Sequence, residues 1–147
     1  MSLKERLLED MKNAMKDKAV IKKNTVQMAR AAILQVEKDN RITLDDDGIL
    51  DIIAKEVKKR RDVLPDFEKS GRQDLIDGLK AELDVLLQYL PQQLTEEELE
   101  VIVRQAVQDT GATSAKDMGR IMQLVLPQVK GRADGKMING IVKKIIG

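Results

Sequence analysis

Residues 75–90 read LIDGLKAELDVLLQYL and hold the strongest apolar pattern of the chain. Residues three and four positions apart lie on one side of an α-helix, so this stretch predicts an amphipathic helix. The helix is expected to end at Pro91, whose backbone nitrogen cannot donate a helical hydrogen bond. The leucines that form its apolar side are Leu75, Leu79, Leu83, Leu86, Leu87 and Leu90.

Three helices are predicted before this stretch. Leu3 to Lys16 carries apolar residues four positions apart and predicts the first helix. Residues 17–24, DKAVIKKN, interrupt that pattern, and a second helix is predicted after them, ending near Lys38. A third helix begins near Ile49, and Pro65 predicts that it kinks or ends near Leu64. Ser70 and Gly71 predict a helix stop.

Three more helices are predicted after Pro91. Thr95, followed three residues later by a glutamate, forms a capping-box pattern that opens a fifth helix, and Gly111 closes that helix. A sixth helix is predicted from Met118 to near Pro127. Asp134 is a natural N-cap for a short seventh helix.

The chain is predicted to be all-α, because no segment alternates between apolar and polar residues with the period of a strand. Residues 1–93 are expected to form an N-terminal domain of about four helices, and residues 94–147 a three-helix tail domain. The core must be aliphatic, since Phe67 and Tyr89 are the only aromatic residues. Six methionines on predicted helix faces are expected to fill it: Met11, Met15, Met28, Met118, Met122 and Met137.

The composition excludes several classes of active site. The chain has no histidine and no cysteine, so Ser-His-Asp and Cys-His catalysis, disulfides and thiolate metal sites are ruled out within it. It contains neither a G-x-S-x-G elbow nor a glycine-rich phosphate-binding motif. No catalytic residue, metal or cofactor is therefore predicted.

The aspartate-rich segment LDDDGILD, residues 44–51, has a calcium-loop appearance but the wrong spacing. With Gly48 in the sixth position of an EF-hand loop, Thr43 and Ala54 would occupy the first and twelfth positions, where carboxylates are needed. The segment is instead interpreted as the start of a helix, because acidic residues there complement the helix dipole.

The overall charge is nearly balanced, with 26 Lys and Arg against 25 Asp and Glu. No apolar run approaches the roughly 20 residues that cross a bilayer, and the first residues lack a signal-peptide pattern. A cytoplasmic location and no membrane partner are expected by default. The densest basic cluster, KEVKKRR at residues 55–61, is either a solvated helix or a phosphate-contacting surface.

Residues 117–147, DMGRIMQLVLPQVKGRADGKMINGIVKKIIG, resemble the signature of the GatB/YqeY family. The shared pattern is D-M-G-x-[IV]-M, an apolar stretch with proline, K-G-[RK]-A-D-G, and a last helix with I-V-K. The opening residues and the helix around residues 83–90 also resemble stand-alone YqeY-like proteins, so the resemblance covers nearly the whole chain. It implies an all-α fold whose tail is similar to that of the B subunit of the tRNA-dependent amidotransferase, which helps to hold tRNA.

The resemblance and the charge pattern together favour a non-catalytic tRNA-binding or adaptor protein, with tRNA or a tRNA-charging or amidotransferase complex as partner. After Ala115 the chain has seven basic residues against two acidic ones. An alternative is a part in carbon–nitrogen ligase chemistry, with glutamine as amide donor and a separate catalytic partner. A further alternative is a protein–protein interaction module without an RNA role.

Five basic residues of the tail are the candidate RNA-binding site: Arg120, Lys130, Arg132, Lys136 and Lys143. Lys130 and Arg132 flank a glycine in a predicted loop, and Lys136 follows in the first turn of the last helix. Lys143 lies about two helical turns further along a similar side. Gly119, inside the sixth helix, is expected to mark a close approach between two helices.

Overall fold

A computed structural model describes all residues, 1–147, and contains seven α-helices and no strand. The all-α prediction and the number of helices are confirmed. None of the helices is both long enough and apolar enough to cross a bilayer. The helices are α1 (Leu3–Lys16), α2 (Val20–Asn40), α3 (Asp46–Ser70), α4 (Gln73–Leu87), α5 (Glu96–Thr110), α6 (Met118–Val129) and α7 (Gly135–Ile146), with a 3-10 turn at Ala115–Asp117.

The chain forms two compact units, Met1–Leu90 and Pro91–Gly147. In the N-terminal unit α1 packs against α2, α3 packs against α4, and α2 also contacts α4. In the C-terminal unit α6 and α7 each pack against α5. The division into two independent domains, residues 1–93 and residues 94–147, stays a prediction.

The two units have separate aliphatic cores. Residues of α1 to α4 and the following turn form the first core: Leu3, Leu7, Val26, Ala29, Ile33, Ile49, Ile52, Ile53, Val57, Leu83, Leu86 and Tyr89. Residues of α5, α6 and α7 and the segment before α5 form the second: Leu94, Leu99, Val103, Ala106, Ile121, Val125, Val129, Ile138, Ile141 and Val142.

Glu37 of α2 connects α1 to the loop between α2 and α3. Its carboxylate accepts a hydrogen bond from Lys4 Nζ at 2.6 Å and another from the backbone N–H of Leu44 at 2.8 Å. These two bonds, that from Lys4 first, lower the pKa of Glu37 below its ordinary value. Close by in sequence, Asp46 accepts a bond from the backbone of Leu3 at 3.0 Å.

Tyr89 is buried at the end of the N-terminal unit. Its hydroxyl donates to Asp10 Oδ2 at 2.5 Å, and the guanidinium of Arg6 lies 4.6 Å from its ring centroid. Burial, and then the bond to Asp10, raise the pKa of Tyr89 because both penalise the phenolate. The one tyrosine of the chain therefore links α1 to the turn after α4.

A buried charge cluster lies between α3 and α4. Arg60 and Glu56 are both buried, and Arg60 Nη1 lies 3.5 Å from Glu56 Oε1 and 3.0 Å from its backbone carbonyl. Arg60 Nη2 reaches Glu82 at 3.5 Å, and Lys59 reaches the other oxygen of Glu56 at 3.0 Å. The Nε of Arg60 is buried without a hydrogen-bond partner, so the cluster does not fully satisfy its central charge.

The predicted helix ends are confirmed where a local cap defines them. Asp45 opens α3 by accepting a bond from Gly48 N at 2.9 Å, and Thr95 opens α5 by accepting one from Glu98 N at 3.1 Å. Asp134 opens α7 with a bond from Met137 N at 2.7 Å. Each aspartate or threonine satisfies an N–H that the helix itself leaves unpaired.

The start of α2 is predicted wrongly, and neither Pro65 nor Pro127 is the last residue of its helix. Helix α3 continues through the exposed Pro65 and ends at Ser70, followed by Gly71 with a φ of +70°, so the helix stop predicted at Ser70 and Gly71 is confirmed. Helix α6 likewise runs two residues past Pro127. Helix α2 begins at Val20, inside the segment that the sequence pattern assigned to a break.

Several predicted core residues are exposed. Met15 and Met28 keep 57% and 50% of their surface, so the prediction that all methionines fill the core is wrong for them. In α4, Ile76 is buried, whereas Leu75, which was predicted to lie on the buried side, keeps 41% of its surface exposed. Gly119 does not mark a close approach, since a Cβ placed there would meet no atom within 4 Å.

Candidate nucleic-acid interface

The loop between α6 and α7 carries two of the five candidate residues, and its own backbone bonds shape it. Gly131 has a φ of +74°, a conformation that glycine adopts without steric cost. The N–H of Arg132 then turns back to donate to the carbonyl of Val129 at 2.7 Å. The Asp134 cap starts α7 directly afterwards.

The segment before α5 is fastened to this loop by three hydrogen bonds. The backbone N–H of Leu94 donates to the carbonyl of Arg132 at 2.9 Å, and the side-chain amide of Gln93 donates to the carbonyl of Gly131 at 2.7 Å. The guanidinium of Arg132 returns a bond from Nε to the carbonyl of Gln92 at 3.1 Å. Arg132 is therefore a structural anchor of the C-terminal unit as well as a positive charge.

Arg120 is also engaged within the C-terminal unit. Its Nη2 donates to the carbonyl of Thr110 at 2.7 Å, at the end of α5, and its Nη1 lies 3.4 Å from Asp117. Asp117 in turn accepts a bond from the backbone of Thr113 at 3.1 Å. The side chain of Arg120 thus connects α6 to the end of α5, while it keeps 62% of its surface exposed.

The three candidate lysines differ from the two arginines in their position. Lys130 ends α6, and Lys136 and Lys143 lie on α7, and all three are exposed. Lys136 and Lys143 are seven residues apart, so they project from α7 within about 20° of each other. Four of the five candidates, the three lysines and Arg120, are therefore exposed, and Arg132 is half-buried.

The exposed side of α7 contains three further residues that the sequence-based site omitted: Asn139, Gly140 and Lys144. At 100° per residue they fall with Lys136 and Lys143 inside an arc of about 140°. No acidic residue occurs in α7. We call these five residues the α7 face; the helical spacing alone could have identified all of them.

One edge of the α7 face lies near an acidic side chain of α5. Lys144 Nζ is 3.9 Å from Glu100, which also pairs with Arg104 at 2.6 Å. Arg104, and then Lys144, lower the pKa of Glu100 below its ordinary value. Lys144 is therefore partly neutralised, and Lys136 and Lys143 lie on the side of the face away from this pair.

The basic cluster of α3, the second surface proposed for phosphate contact, is engaged in ion pairs. Lys58 pairs with Asp62 at 3.7 Å, Lys59 pairs with Glu56, and Arg60 is buried. Much of its positive charge is thus balanced within α3 and α4. No group of three or more acidic side chains is placed to hold a metal ion.

Comparison with known proteins supports the family resemblance that the sequence motifs indicated. The family described as Yqey-like protein matches residues 4–146. A protein of Pyrenophora tritici-repentis named "Altered inheritance of mitochondria protein 41, mitochondrial" is 30% identical over 97% of this chain and 80% of its own length. Proteins of the same name from Kluyveromyces lactis and Eremothecium gossypii are 29% and 35% identical, over 93% and 57% of this chain and 72% and 46% of their own.

These names contradict one expectation from the sequence. The chain was expected to be cytoplasmic because no targeting segment was recognised, whereas the relatives are named as mitochondrial proteins. The cytoplasmic expectation, which rests on missing signals, is thus overturned by the names of the relatives. The names state where those proteins are found and do not state what they bind.

Proposed function

Because this chain belongs to the family of YqeY-like proteins, we propose that it is a non-catalytic RNA-binding protein that holds tRNA on the α7 face. The likeness of residues 117–147 to the tRNA-holding tail of the amidotransferase B subunit supports tRNA as the ligand. The absence of histidine, cysteine and a nucleophile motif supports a binding role without chemistry.

The observation that carries this proposal is the charge distribution on α7. Lys136, Lys143 and Lys144 lie on one exposed side, and the helix has no acidic residue. The exposed Lys130 precedes it in the loop. Lysine side chains arranged along a helix match the spacing of successive phosphates only loosely, so they favour sequence-independent backbone contact.

Gly140 lies between the lysines and adds a second property to the face. A Cβ at this position would meet no atom within 4 Å, so no neighbour within the protein requires a glycine there. Glycine inside a helix costs stability relative to alanine, and it allows another backbone to approach closely. An RNA backbone lying across α7 is the contact that we assign to it.

Fluorescence anisotropy with labelled total tRNA tests the proposal. The double variant Lys136→Glu/Lys143→Glu should weaken binding of the full chain about tenfold or more, since each reversal removes one phosphate contact and adds a repulsion. The slope of log affinity against log salt should fall by about one for each lysine removed. Gly140→Ala should weaken binding while raising the helical stability.

The matched control is Lys69→Glu/Lys80→Glu, which reverses two exposed lysines on α3 and α4 in the other unit. It should change the affinity less than twofold. Equal loss in the control and in the α7 variant would show that only net charge matters. Unchanged binding by a folded α7 variant, or no binding by the wild type at low salt, would overturn the proposal.

A further inference from the structure

The turn between α1 and α2 carries three exposed apolar side chains. Met15, near the end of α1, keeps 57% of its surface, and Val20 and Ile21, at the start of α2, keep 62% and 47%. Met15 and Val20 line one shallow depression of the surface together with Lys18. Side chains of both helices therefore meet on one surface, and we call the surface of residues 12–23 the α1–α2 corner.

Lysines accompany the apolar side chains of the α1–α2 corner. Residues 12–23 contain five lysines against one aspartate, and the structure gives none of these lysines an ion pair. At 100° per residue, Lys12, Met15 and Lys16 project from α1 within an arc of about 100°. The corner therefore combines uncompensated positive charge and exposed apolar surface on the same side. Three of the lysines are exposed and two are half-buried: Lys12, Lys16 and Lys18, and Lys22 and Lys23.

Lys18 occupies a backbone position that glycine would fill at lower cost. Its φ is +56°, in the left-handed region. The N–H of Lys18 donates to the carbonyl of Met15 at 3.3 Å. The N–H of Ala19 donates to the carbonyl of Ala14 at 2.9 Å. This pair of bonds closes a helix end of the kind in which glycine usually takes the left-handed position. A lysine there adds a positive charge to the corner at the expense of stability.

We propose that the α1–α2 corner docks on an anionic lipid bilayer, with the apolar side chains in the headgroup–acyl boundary and the lysines at the lipid phosphates. Peripheral attachment of this kind combines buried apolar surface with attraction to anionic lipids. An RNA would pair with the lysines and leave the apolar side chains in water, whereas a bilayer covers both. The expectation of no membrane partner rested on the absence of a spanning segment, which a peripheral contact does not need.

Vesicle flotation with the full chain is the primary experiment. The chain should bind vesicles of phosphatidylcholine mixed with phosphatidylglycerol, should not bind pure phosphatidylcholine, and should be released by salt. Lys16→Gln/Lys18→Gln should weaken binding about twentyfold, since each lysine near an anionic surface contributes about fivefold. The matched control, Lys69→Gln/Lys80→Gln, removes two exposed lysines from α3 and α4 and should change binding less than about twofold.

Two further variants separate the apolar contribution and the role of Lys18. Val20→Ser/Ile21→Ser keeps every charge and should weaken vesicle binding about tenfold, because less apolar surface enters the bilayer. Its control, Val101→Ser/Leu126→Ser, removes two exposed apolar side chains from the C-terminal unit and should have no effect. Lys18→Gly should raise the melting temperature while it weakens vesicle binding about fivefold, a combination that a purely structural role would not give.

The results that would overturn the proposal are distinct from one another. No binding to the mixed vesicles, or equal binding to neutral ones, rules out an anionic bilayer as the partner. Equal losses in the corner variants and their controls remove the α1–α2 corner from the contact. Anisotropy with tRNA should give the same affinity for Lys16→Gln/Lys18→Gln as for the wild type. A loss of tRNA binding in that variant, without vesicle binding by the wild type, would assign the corner to RNA instead.

Discussion

The side chain of Arg132 donates from Nε to the carbonyl oxygen of Gln92, 3.1 Å away and 40 positions earlier in the chain. The carbonyl of Arg132 itself accepts the N–H of Leu94 from the same segment. One residue thus holds the entry of the chain into α5 against the loop that leads into α7. A charge reversal at Arg132 would change structure and electrostatics together, so RNA binding is better tested on the lysines.

Replacement of Arg132 by alanine should lower the free energy of unfolding of the C-terminal unit by about 1 kcal/mol, because the hydrogen bond to the Gln92 carbonyl is lost. Urea unfolding followed by circular dichroism measures the change. Lys143→Ala, at an exposed position on α7, should shift it by less than about 0.5 kcal/mol. Equal effects would show that the bond to Gln92 contributes nothing to stability.

Arg60→Ala should destabilise the N-terminal unit strongly, by about 3 kcal/mol, because it leaves the buried Glu56 with only the exposed Lys59 as partner. Arg104→Ala breaks an exposed pair with Glu100 at the same helical spacing and should cost about 0.5 kcal/mol or less. Thermal and urea unfolding of both variants give the comparison. A small loss for Arg60→Ala would mean that water replaces the guanidinium.

Glu37→Gln should reduce stability at pH 7 and have a smaller effect at pH 3. The pKa of Glu37 is lowered in the folded chain by Lys4 and by the N–H of Leu44. Its contribution is thus complete above the unfolded pKa near about 4.3 and is lost as the pH falls through the folded pKa. Urea unfolding at several pH values measures the difference between wild type and variant.

The matched change for Glu37 is Glu9→Gln, at an exposed carboxylate of α1. The structure gives Glu9 no hydrogen bond or ion pair, so the stability difference between this variant and the wild type should vary little between pH 7 and pH 3. A Glu37→Gln effect that stays constant over that range would show that its ionised form is not what stabilises the fold.

Gly119→Ala should stabilise the chain by about 0.5 kcal/mol, since alanine favours the helix and the new methyl meets open space. Gly48 is the informative comparison because it also lies in a first helical turn. A Cβ there would lie 2.8 Å from Leu44 Cδ2, so the side chain of Leu44 must move. Melting temperatures should rank Gly119→Ala above Gly48→Ala, and the reverse order would contradict the geometry.

The features that the sequence predicts well are those that depend on neighbouring residues. Thr95, Asp134 and Gly111 mark helix ends because each cap bonds to groups within a few positions. Pro65 is not a helix end, because α3 carries it on a mostly exposed stretch and ends instead at the left-handed Gly71. The number and type of the helices and the end of α3 at Ser70 were therefore accessible from the sequence, and the start of α2 was not.

The candidate site could be predicted only in part from the sequence, because some of its contacts join residues that are far apart in the chain. Lys136 and Lys143 share a side of α7 by helical spacing alone, which a sequence displays directly. The anchoring of Arg132 and Arg120 depends on carbonyls 40 and 10 positions away, which no local pattern encodes. The same holds for Met15 and Met28, whose spacing fits a core face although no neighbouring element covers them.

The position of Tyr89 makes it a natural spectroscopic probe. It is the only tyrosine, the chain has no tryptophan, and it lies in the core of the N-terminal unit, so intrinsic tyrosine emission reports on that unit alone. Far-ultraviolet circular dichroism, by contrast, averages over all seven helices. Denaturation curves recorded by both signals would coincide if the chain melts as one cooperative body and would separate if the two units melt independently. An unmodified chain can thus reveal its own cooperativity without a label or a truncation.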